Sequence, residues 1–405
     1  MIFETRSLYD RFRRAGGDRP RAGATEAPLL EDEGLGIAVR RIPFEASGLA
    51  HLRPEDRAIE ENARFEVPVF EPLPRRADVD WPREGPEKTN AQAPPKPHER
   101  LVVVLHGLNE TLYNKLFPWA ASLCARLGRP VALFPMALHV TRRPHAWIDL
   151  GRELYATRAA LPDNASASPF NAVLSARLEA APDRFVRAGL ATCDDLAALA
   201  ASAHAGDWPG CAAGTRVDFV GYSAGGYAAL CLLAGERGDA PSLSSSRVCL
   251  LASGADGAGI DTESVLILDR RASRALTASL AAGDGARGLA DRYAEARAFD
   301  ALYAGRGADI VRKLGTRVQV FTLENDRVIL AARIAHNLAP LATTTVSAGL
   351  HEYPFSLTEG LPTEALSAQG RRLLAAIARA SDVAPPLRAA FAAFIEGVAQ
   401  HLEAP

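Results

Sequence analysis

The chain has 405 residues, 48% of them hydrophobic and 23% charged, so it is long enough to bury a sizeable core. Its formal net charge is −2, which gives no indication of a nucleic-acid partner. No window approaches the roughly 18 apolar residues of a membrane span, and Glu4 and Asp10 stand where a signal peptide needs an apolar core. We therefore expect a cytoplasmic protein. The five cysteines are scattered and predict no metal site.

Residues 1–98 are expected to form an irregular N-terminal extension. Within it, GIAVRRIPFE (36–45) and RFEVPVF (64–70) have the composition of short strands. The stretch 71–98 contains seven prolines and almost no periodicity, which is typical of a connector or a surface arm.

From residue 99 to residue 405 short apolar runs alternate with helical patterns. The runs predicted to be strands are LVVVL (101–105), PVALF (130–134), VDFV (217–220), RVCLLAS (247–253), RVQVFTL (317–323) and TTTVSAG (343–349). Continuous apolar runs are typical of strands that are buried on both faces. We therefore predict an α/β fold, with a mostly parallel, doubly wound sheet and helices on both faces. Ligands of such sheets bind at the carboxyl ends of the strands.

Two long stretches, 136–214 and 254–315, interrupt this alternation. Both contain helical patterns, such as RFVRAGLATCDDLAALAASA (184–203) and the apolar-faced SVLILDRRASRALTASLAAG (264–283). Insertions of this size with helices of their own are expected to form a lid or a helical cap over a binding site.

One motif, VDFVGYSAGGY (217–227), indicates nucleophilic catalysis by a serine. It contains G-x-S-x-G around Ser223, between a predicted strand and an alanine-rich helix. In this setting a serine nucleophile sits on a strained turn, where the N–H groups of the following helix face the reacting oxygen. A glycine-rich loop that holds a serine by chance is the alternative, and the strand–turn–helix context favours the nucleophile.

A serine hydroxyl needs a base, and the base needs an acid that fixes its tautomer. His351 follows the last predicted strand and is the expected base. Asp326, at the end of the preceding strand, is the expected acid, while Glu324 and Asp256 remain alternatives. An aspartate at this position is also a common helix N-cap.

An oxyanion hole needs two donors, and we expect the backbone N–H groups of Ala224 and Leu108. The first follows the serine, and the second lies in the turn HGLNE (106–110) after the first buried strand. The side chain of Asn109 is a weaker candidate for the same role.

The loop FPMALHVTRRPHAWIDLGRE (134–153) follows a strand end and should border the site. Its polar and aromatic residues include His139, Arg142, Arg143, His145 and Trp147. They would form a clamp for a substrate carboxylate or phosphate. The alternative is a solvated loop anchored by Trp147. Tyr222, next to the serine, is a further candidate substrate contact.

Together, LVVVLHGLNE, VDFVGYSAGGYAAL, VQVFTLENDRVI and SAGLHEYPF resemble the α/β-hydrolase superfamily in its serine-nucleophile branch. The resemblance implies an eight-stranded, mostly parallel sheet, a serine nucleophile with an Asp/His pair, and no metal or organic cofactor. The leading hypothesis is a hydrolase of small-molecule carboxylic esters or thioesters, and a homo-oligomer is considered for the protein. An acyltransferase with the same triad and a catalytically silent binding module are the alternatives.

Overall fold

The computed structural model describes six parts of the chain. They are residues 9–15, 29–73, 97–283, 287–347, 349–355 and 384–404. Most of the predicted connector, residues 74–96, lies outside the described residues.

A nine-stranded sheet forms the centre of the described structure, in the order β1-β2-β3-β5-β4-β6-β7-β8-β9. The strands are β1 Leu30–Asp32, β2 Ile37–Glu45, β3 Arg64–Pro72, β4 His98–Leu105, β5 Val131–Phe134, β6 Cys211–Tyr222, β7 Val248–Leu251, β8 Val318–Leu323 and β9 Thr343–Val346. Strands β4 to β9 pair in parallel, whereas β1, β2 and β3 pair antiparallel and join the sheet through β5.

The predicted strands are therefore present, and the predicted α/β fold class is confirmed. The N-terminal extension contributes three strands to the same sheet, of which β2 and β3 match the two predicted runs. Strand β1 was not predicted, because a three-residue edge strand, LED, has no apolar pattern.

Helices of seven or more residues cover the sheet. They are α1 Phe117–Leu127, α2 Trp147–Ala159, α3 Ala172–Ala180, α4 Arg184–Ala205, α5 Ala224–Ala234, α6 Arg270–Ala282, α7 Ala294–Tyr303, α8 Gly307–Leu314, α9 Ala331–Asn337 and α10 Ala384–Glu403. Shorter helical turns include Pro54–Arg57, Glu60–Ala63, Val140–Arg142 and Arg287–Ala290.

Successive residues of β4 face opposite sides of the sheet and pack in two different core clusters. Leu101 and Val103 are packed in one core cluster, whereas Val102 and Val104 are packed in the other, and all four are at most 1% exposed. The first cluster includes apolar residues of α4, α5, α7 and α8, and the second those of α1 and α10. Because both faces are covered there, β4 has an apolar residue at every position from 101 to 105.

The two long insertions contact each other. The guanidinium of Arg158, on α2, donates to Asp269, the N-cap of α6, with Nη2 2.8 Å from Oδ1. Asn171, at the start of α3, donates to the carbonyl of Ser264 at 2.9 Å. Helix α4, although within the first insertion, packs on β6 as part of the sheet's helical layer.

Strand register places several strand ends beside one another. Leu105, the last residue of β4, is paired with Gly221 of β6, and Leu251 of β7 is paired with Tyr222. Strand β4 lies between β5 and β6, so the chain reverses its direction of progress through the sheet at this point. The carboxyl edge at such a reversal is where ligands of α/β proteins bind.

Candidate active site

Ser223 joins β6 to α5 on a sharp turn. Its backbone has φ 53° and ψ −122°, a region that residues other than glycine rarely adopt. The turn is held because the N–H of Ser223 donates to the carbonyl of Leu251, on β7, at 3.0 Å. The serine therefore stands between the end of a central strand and the first turn of a helix.

Two glycines after the serine allow this helix to approach its neighbours closely. A Cβ atom on Gly225 would lie 2.7 Å from the carbonyl oxygen of His106, in the loop after β4. A Cβ on Gly226 would lie 2.5 Å from Oγ of Ser253, which follows β7. These glycines thus allow α5 to pack against the ends of two strands. The close contact with Ser253 explains why position 226 is a glycine.

Ser223, His351 and Asp326 form a continuous hydrogen-bonded line. Oγ of Ser223 lies 2.9 Å from Nε2 of His351, and Nδ1 of His351 lies 2.9 Å from Oδ2 of Asp326. All three side chains are buried. If Nδ1–H donates to the carboxylate, Nε2 is left as the acceptor for the serine proton.

Of the three candidate acids, Asp326 is the one in contact with His351. Its Oδ1 accepts the backbone N–H groups of Val328 and Ile329, each at 2.8 Å, so one oxygen is anchored and the other faces the imidazole. Glu324 is exposed. Asp256 is paired with Arg333, whose Nε lies 2.9 Å from Oδ1.

The two expected oxyanion donors lie near the serine. Ala224 is the first residue of α5, where a backbone N–H has no acceptor within its own helix. The loop that carries Leu108 is close by, since a Cβ on Gly107 would lie 3.4 Å from the Cβ of Ser223. Leu108 and Ala224 also line one and the same cavity.

His106 in this loop is a packed turn residue. Its Nδ1 lies 2.8 Å from the carbonyl oxygen of Gly107, and its Nε2 accepts the N–H of Met136 at 2.9 Å. Burial lowers the pKa of His106 well below its ordinary range, so its imidazole is neutral.

Asn109 lies beside the site, but its side chain is engaged with the two insertions. The amide Nδ2 donates to the carbonyl oxygens of Phe170 at 3.1 Å and Leu266 at 2.8 Å. The backbone of Asn109 has φ 61°, a conformation that asparagine tolerates better than most residues. Its amide therefore fixes the loop to both insertions, and the side chain has no donor left for an oxyanion.

The expectation that Arg142 clamps the substrate is corrected by the structure. Its side chain is fully buried, with Nη1 2.8 Å from Asp195 on α4 and Nε 3.0 Å from Oδ1 of Asn62. The same guanidinium lies 4.2 Å from the ring centre of Phe65. The basic loop was visible in the sequence, but the carboxylate and amide that bury Arg142 are remote in the chain.

Tyr222 is also buried, and its hydroxyl donates to the backbone carbonyl of His351. Burial raises the pKa of Tyr222 well above its ordinary range, so the phenol keeps its proton. Lys115 lies over this ring, 5.7 Å from its centre, and pairs with Glu110 at 2.5 Å. Tyr222 thus contacts the loop of His351 instead of an open binding surface.

A cavity that we call the apolar pocket adjoins the serine turn. It is lined by Leu108, Ala224, Tyr227, Leu178, Phe185 and Phe299, among others. Its volume of about 90 Å³ is several times the about 10–15 Å³ that one water needs. An organic group of several carbon atoms fits such a space.

A second, larger cavity, which we call the arginine cavity, is lined by Arg13, Arg14, Arg143 and Arg152. His145 and Trp147, both predicted substrate contacts, line it too, and Trp147 also lines the apolar pocket. The indole of Trp147 lies under the guanidinium of Arg177, 4.5 Å from the ring centre.

Sequence reasoning missed the contribution of residues 9–15 to this cavity, since nothing in the chain places that helical segment beside residues 139–152. In the parts of the chain that the structure describes, no helix is long and apolar enough to cross a membrane. The same parts contain no group of three His, Cys, Asp or Glu side chains placed to hold a metal ion.

Comparison with known families identifies the chain at the level of a family. Residues 87–378 match the family of unknown function DUF6051. The chain belongs to this family. A search among curated proteins finds no match for this DUF6051 member. Its mostly parallel sheet, its serine turn and the order serine, acid, histidine are those of the α/β-hydrolase fold predicted from the sequence.

Solved structures similar to this DUF6051 member include esterases. A thermostable esterase from Pseudomonas putida ECU1011 is 14% identical, with a TM-score of 0.47, over 93% of this chain and 86% of that chain. Carboxyl esterase 2 from the fungus Tuber melanosporum is 10% identical, with a TM-score of 0.43, over 94% and 91%. An α/β serine hydrolase without a lid, from Xanthomonas campestris, is 13% identical, with a TM-score of 0.38, over 91% and 96%.

Proposed function

We propose that this protein is a serine hydrolase that cleaves a small-molecule carboxylic ester or thioester through an acyl-enzyme. The observation that carries the proposal is the hydrogen-bonded line from Ser223 through His351 to Asp326, which begins at a strained turn before a helix. A nucleophile within reach of a base, itself oriented by a third group, is the arrangement that acyl transfer requires.

In the acylation step, Oγ of Ser223 attacks the substrate carbonyl carbon while its proton passes to Nε2 of His351. Asp326 holds the imidazole by Nδ1 and stabilises the imidazolium that forms. The backbone N–H groups of Ala224 and Leu108 donate to the oxyanion. When the carbonyl re-forms, the bond to the leaving oxygen or sulfur breaks, and His351 returns the proton to it.

In the deacylation step, water attacks the acyl-enzyme and gives its proton to His351. The ester bond to Ser223 then breaks, Oγ takes the proton back, and a carboxylic acid is released. An alcohol or thiol in place of water would give acyl transfer with the same residues. Analysis of the products with competing acceptors separates these two outcomes.

The apolar pocket is the proposed site of the acyl group. It adjoins both proposed oxyanion donors, and Leu178, Phe185 and Phe299 supply apolar surface. Such a pocket binds a short hydrocarbon chain through burial of its surface, at about 25 cal/mol per Å².

The test is hydrolysis of 4-nitrophenyl acetate, butyrate, hexanoate and octanoate by wild type and by Ser223→Ala. We expect wild-type turnover, with a preference for the chain length that the pocket admits, and at least a 10³-fold lower kcat in the variant, roughly the effect of removing a nucleophile. Ser246→Ala is the matched control, because Ser246 is buried beside β7 but lies before the strand begins. Equal rates for Ser223→Ala and Ser246→Ala would refute the proposal.

A further inference from the structure

The arginine cavity has a charge imbalance that the proposed chemistry does not use. It encloses about 750 Å³, and its charged lining residues are four arginines against two acids, Asp10 and Glu110. The carboxylate of Glu110 is already paired with Lys115 at 2.5 Å. Arg152 is likewise paired, with Asp149 at 2.9 Å. The other charged lining residues are three arginines and Asp10, so the lining carries an excess of positive charge.

Arg143 stands out among these arginines. Its side chain is half-buried, and burial lowers the pKa of its guanidinium below the ordinary value. Among the residues that the structure describes, none pairs with Arg143, whereas Arg152 on the same cavity pairs with Asp149 at 2.9 Å. A desolvated cation without a counterion is unfavourable, and an anionic ligand would remove that penalty.

The arginine cavity adjoins the apolar pocket. Leu138, His139, Trp147 and Leu174 line both spaces. Arg143 lines the arginine cavity together with His139, one of the four shared residues. Burial, and after it the charge of Arg143, lowers the pKa of the His139 imidazole. The cavity that Arg143 lines is therefore the direct neighbour of the pocket that Leu108 and Ala224 line.

We propose that the arginine cavity binds an anionic group of the substrate, a carboxylate or a phosphate, with Arg143 as its main contact. This inference rests on the proposed hydrolase function, since it assigns the substrate class of the same site. The guanidinium offers a planar pair of donors that matches either anion, and such charge-assisted hydrogen bonds are stronger than neutral ones.

The kinetic test compares two esters that differ in one charge, 4-nitrophenyl hydrogen adipate and its methyl ester. We expect wild type to prefer the anionic ester. Arg143→Ala should lower kcat/KM for the anionic ester about 10- to 100-fold, mainly through KM, since hydrogen bonds to charged groups are of that strength. Its effect on the methyl ester should stay within about twofold, a difference near the scatter of surface substitutions. Equal losses on both esters, or no loss on either, would overturn the inference.

Two further variants keep the test interpretable. Arg143→Lys retains a charge but not the planar pair of donors, so its kcat/KM for the anionic ester should lie between those of wild type and Arg143→Ala. Arg312→Ala removes an exposed arginine that is paired with Asp309 on α8 and lines neither cavity, so it should match wild type within about twofold on both esters. A loss in Arg312→Ala as large as that in Arg143→Ala would contradict the assignment to Arg143.

A binding experiment separates this inference from the proposed function. Phenyl phosphate, phenylacetate and benzyl alcohol are titrated by calorimetry into Ser223→Ala, with and without Arg143→Ala. At least one anion should bind more tightly than benzyl alcohol and lose about tenfold or more with Arg143→Ala, and which anion responds identifies the group. If neither anion outbinds benzyl alcohol, the inference fails. If the anions bind as expected while wild type turns over neither the adipate esters nor the 4-nitrophenyl esters from acetate to octanoate, the proposed hydrolase function fails and the anion site stands.

Discussion

At the level of single residues, the candidate site depends on backbone geometry as well as on side-chain chemistry. Ser223 holds a conformation that costs about 1–3 kcal/mol in most residues, and its N–H is tied to Leu251 on the next strand. Asp326 likewise has one carboxylate oxygen fixed by two backbone donors, so the other is aimed at His351. The surrounding sheet thus orients the polar groups before any substrate arrives.

The role of the acid is tested by Asp326→Asn. The amide can keep the anchoring bonds but favours the wrong imidazole tautomer, so kcat on 4-nitrophenyl butyrate should fall about 10³- to 10⁴-fold. Glu324→Gln is the matched control, since Glu324 is two residues away and exposed, and it should stay within about twofold of wild type. Similar rates for the two variants would mean that Asp326 does not orient the base.

The chain order serine, acid, histidine, each at the end of an apolar run, was enough to select three residues that the structure brings together. For two polar side chains the sequence did not predict the correct partners. Tyr222 and Asn109 were expected to face the substrate, yet their polar groups bond to His351 and to the insertions. A sequence shows that a polar residue is near a site, but its partners depend on loops distant in the chain.

At the scale of elements, the short turn Val140–Arg142 is bound to helix α4 by a buried ion pair. Arg142 and Asp195 are both fully buried, 2.8 Å apart, and Asp195 also accepts the N–H groups of Ser47 and Gly48. This carboxylate therefore connects three separate segments of the chain. The loop after β5 is held in place by packing and charge, and this fixes the wall that the two cavities share.

Replacing Arg142 with Ala should accordingly affect stability. Loss of one partner leaves a buried carboxylate unpaired, and the free energy of unfolding should fall by about 3–5 kcal/mol. Arg152→Ala breaks an exposed pair and should change it by less than about 0.5 kcal/mol. Denaturant unfolding measures both variants. Equal stability of Arg142→Ala and wild type would contradict the structural role assigned here.

Element prediction succeeded where the burial pattern is uniform. The strand β4 and the helix α1 follow directly from LVVVL and FPWAASLCARL. The sequence did not predict that β1, β2 and β3 join the sheet antiparallel beside β5. Strand partners are chosen by tertiary contacts, and an apolar pattern within one strand does not specify which strand it pairs with.

At the scale of the whole molecule, buried imidazoles should make stability sensitive to acid. Burial lowers the pKa of His139 from its ordinary 6.5 to about 4. The unfolded chain therefore binds a proton that the folded chain does not, between pH 6.5 and pH 4. The contribution of His139 to the free energy of unfolding is therefore fully present above pH 6.5. Up to about 3 kcal/mol of it is lost as the pH falls to 4.

The acid effect is checked by denaturant unfolding of wild type and His139→Gln at pH 7 and pH 4.5. The free energy of unfolding should fall more steeply towards acid in wild type than in the variant. His106 is also buried with a lowered pKa, so a part of the slope should remain in His139→Gln. Identical slopes in the two proteins would show that His139 does not titrate in this way.

The two insertions contact each other and the loop after β4. Asn109 binds carbonyl oxygens of both insertions, and Arg158 connects α2 to the start of α6. Both insertions can be located in the sequence as long interruptions, and we expect them to form the lid or cap over the serine. Their mutual contacts were not predictable, because polar pairs such as Arg158 and Asp269 are 111 positions apart.

Ser223 is proposed to be an activated nucleophile, and covalent labelling is the direct test of this role. Wild type is incubated with a fluorophosphonate, and the modified residue is located by mass spectrometry of its peptides. We predict one adduct on Ser223, its absence in Ser223→Ala, and labelling at least tenfold slower in Asp326→Asn, roughly one kcal/mol or more of lost activation. An unlabelled wild type, or equal labelling of wild type and Ser223→Ala, would show that Ser223 is not an activated nucleophile.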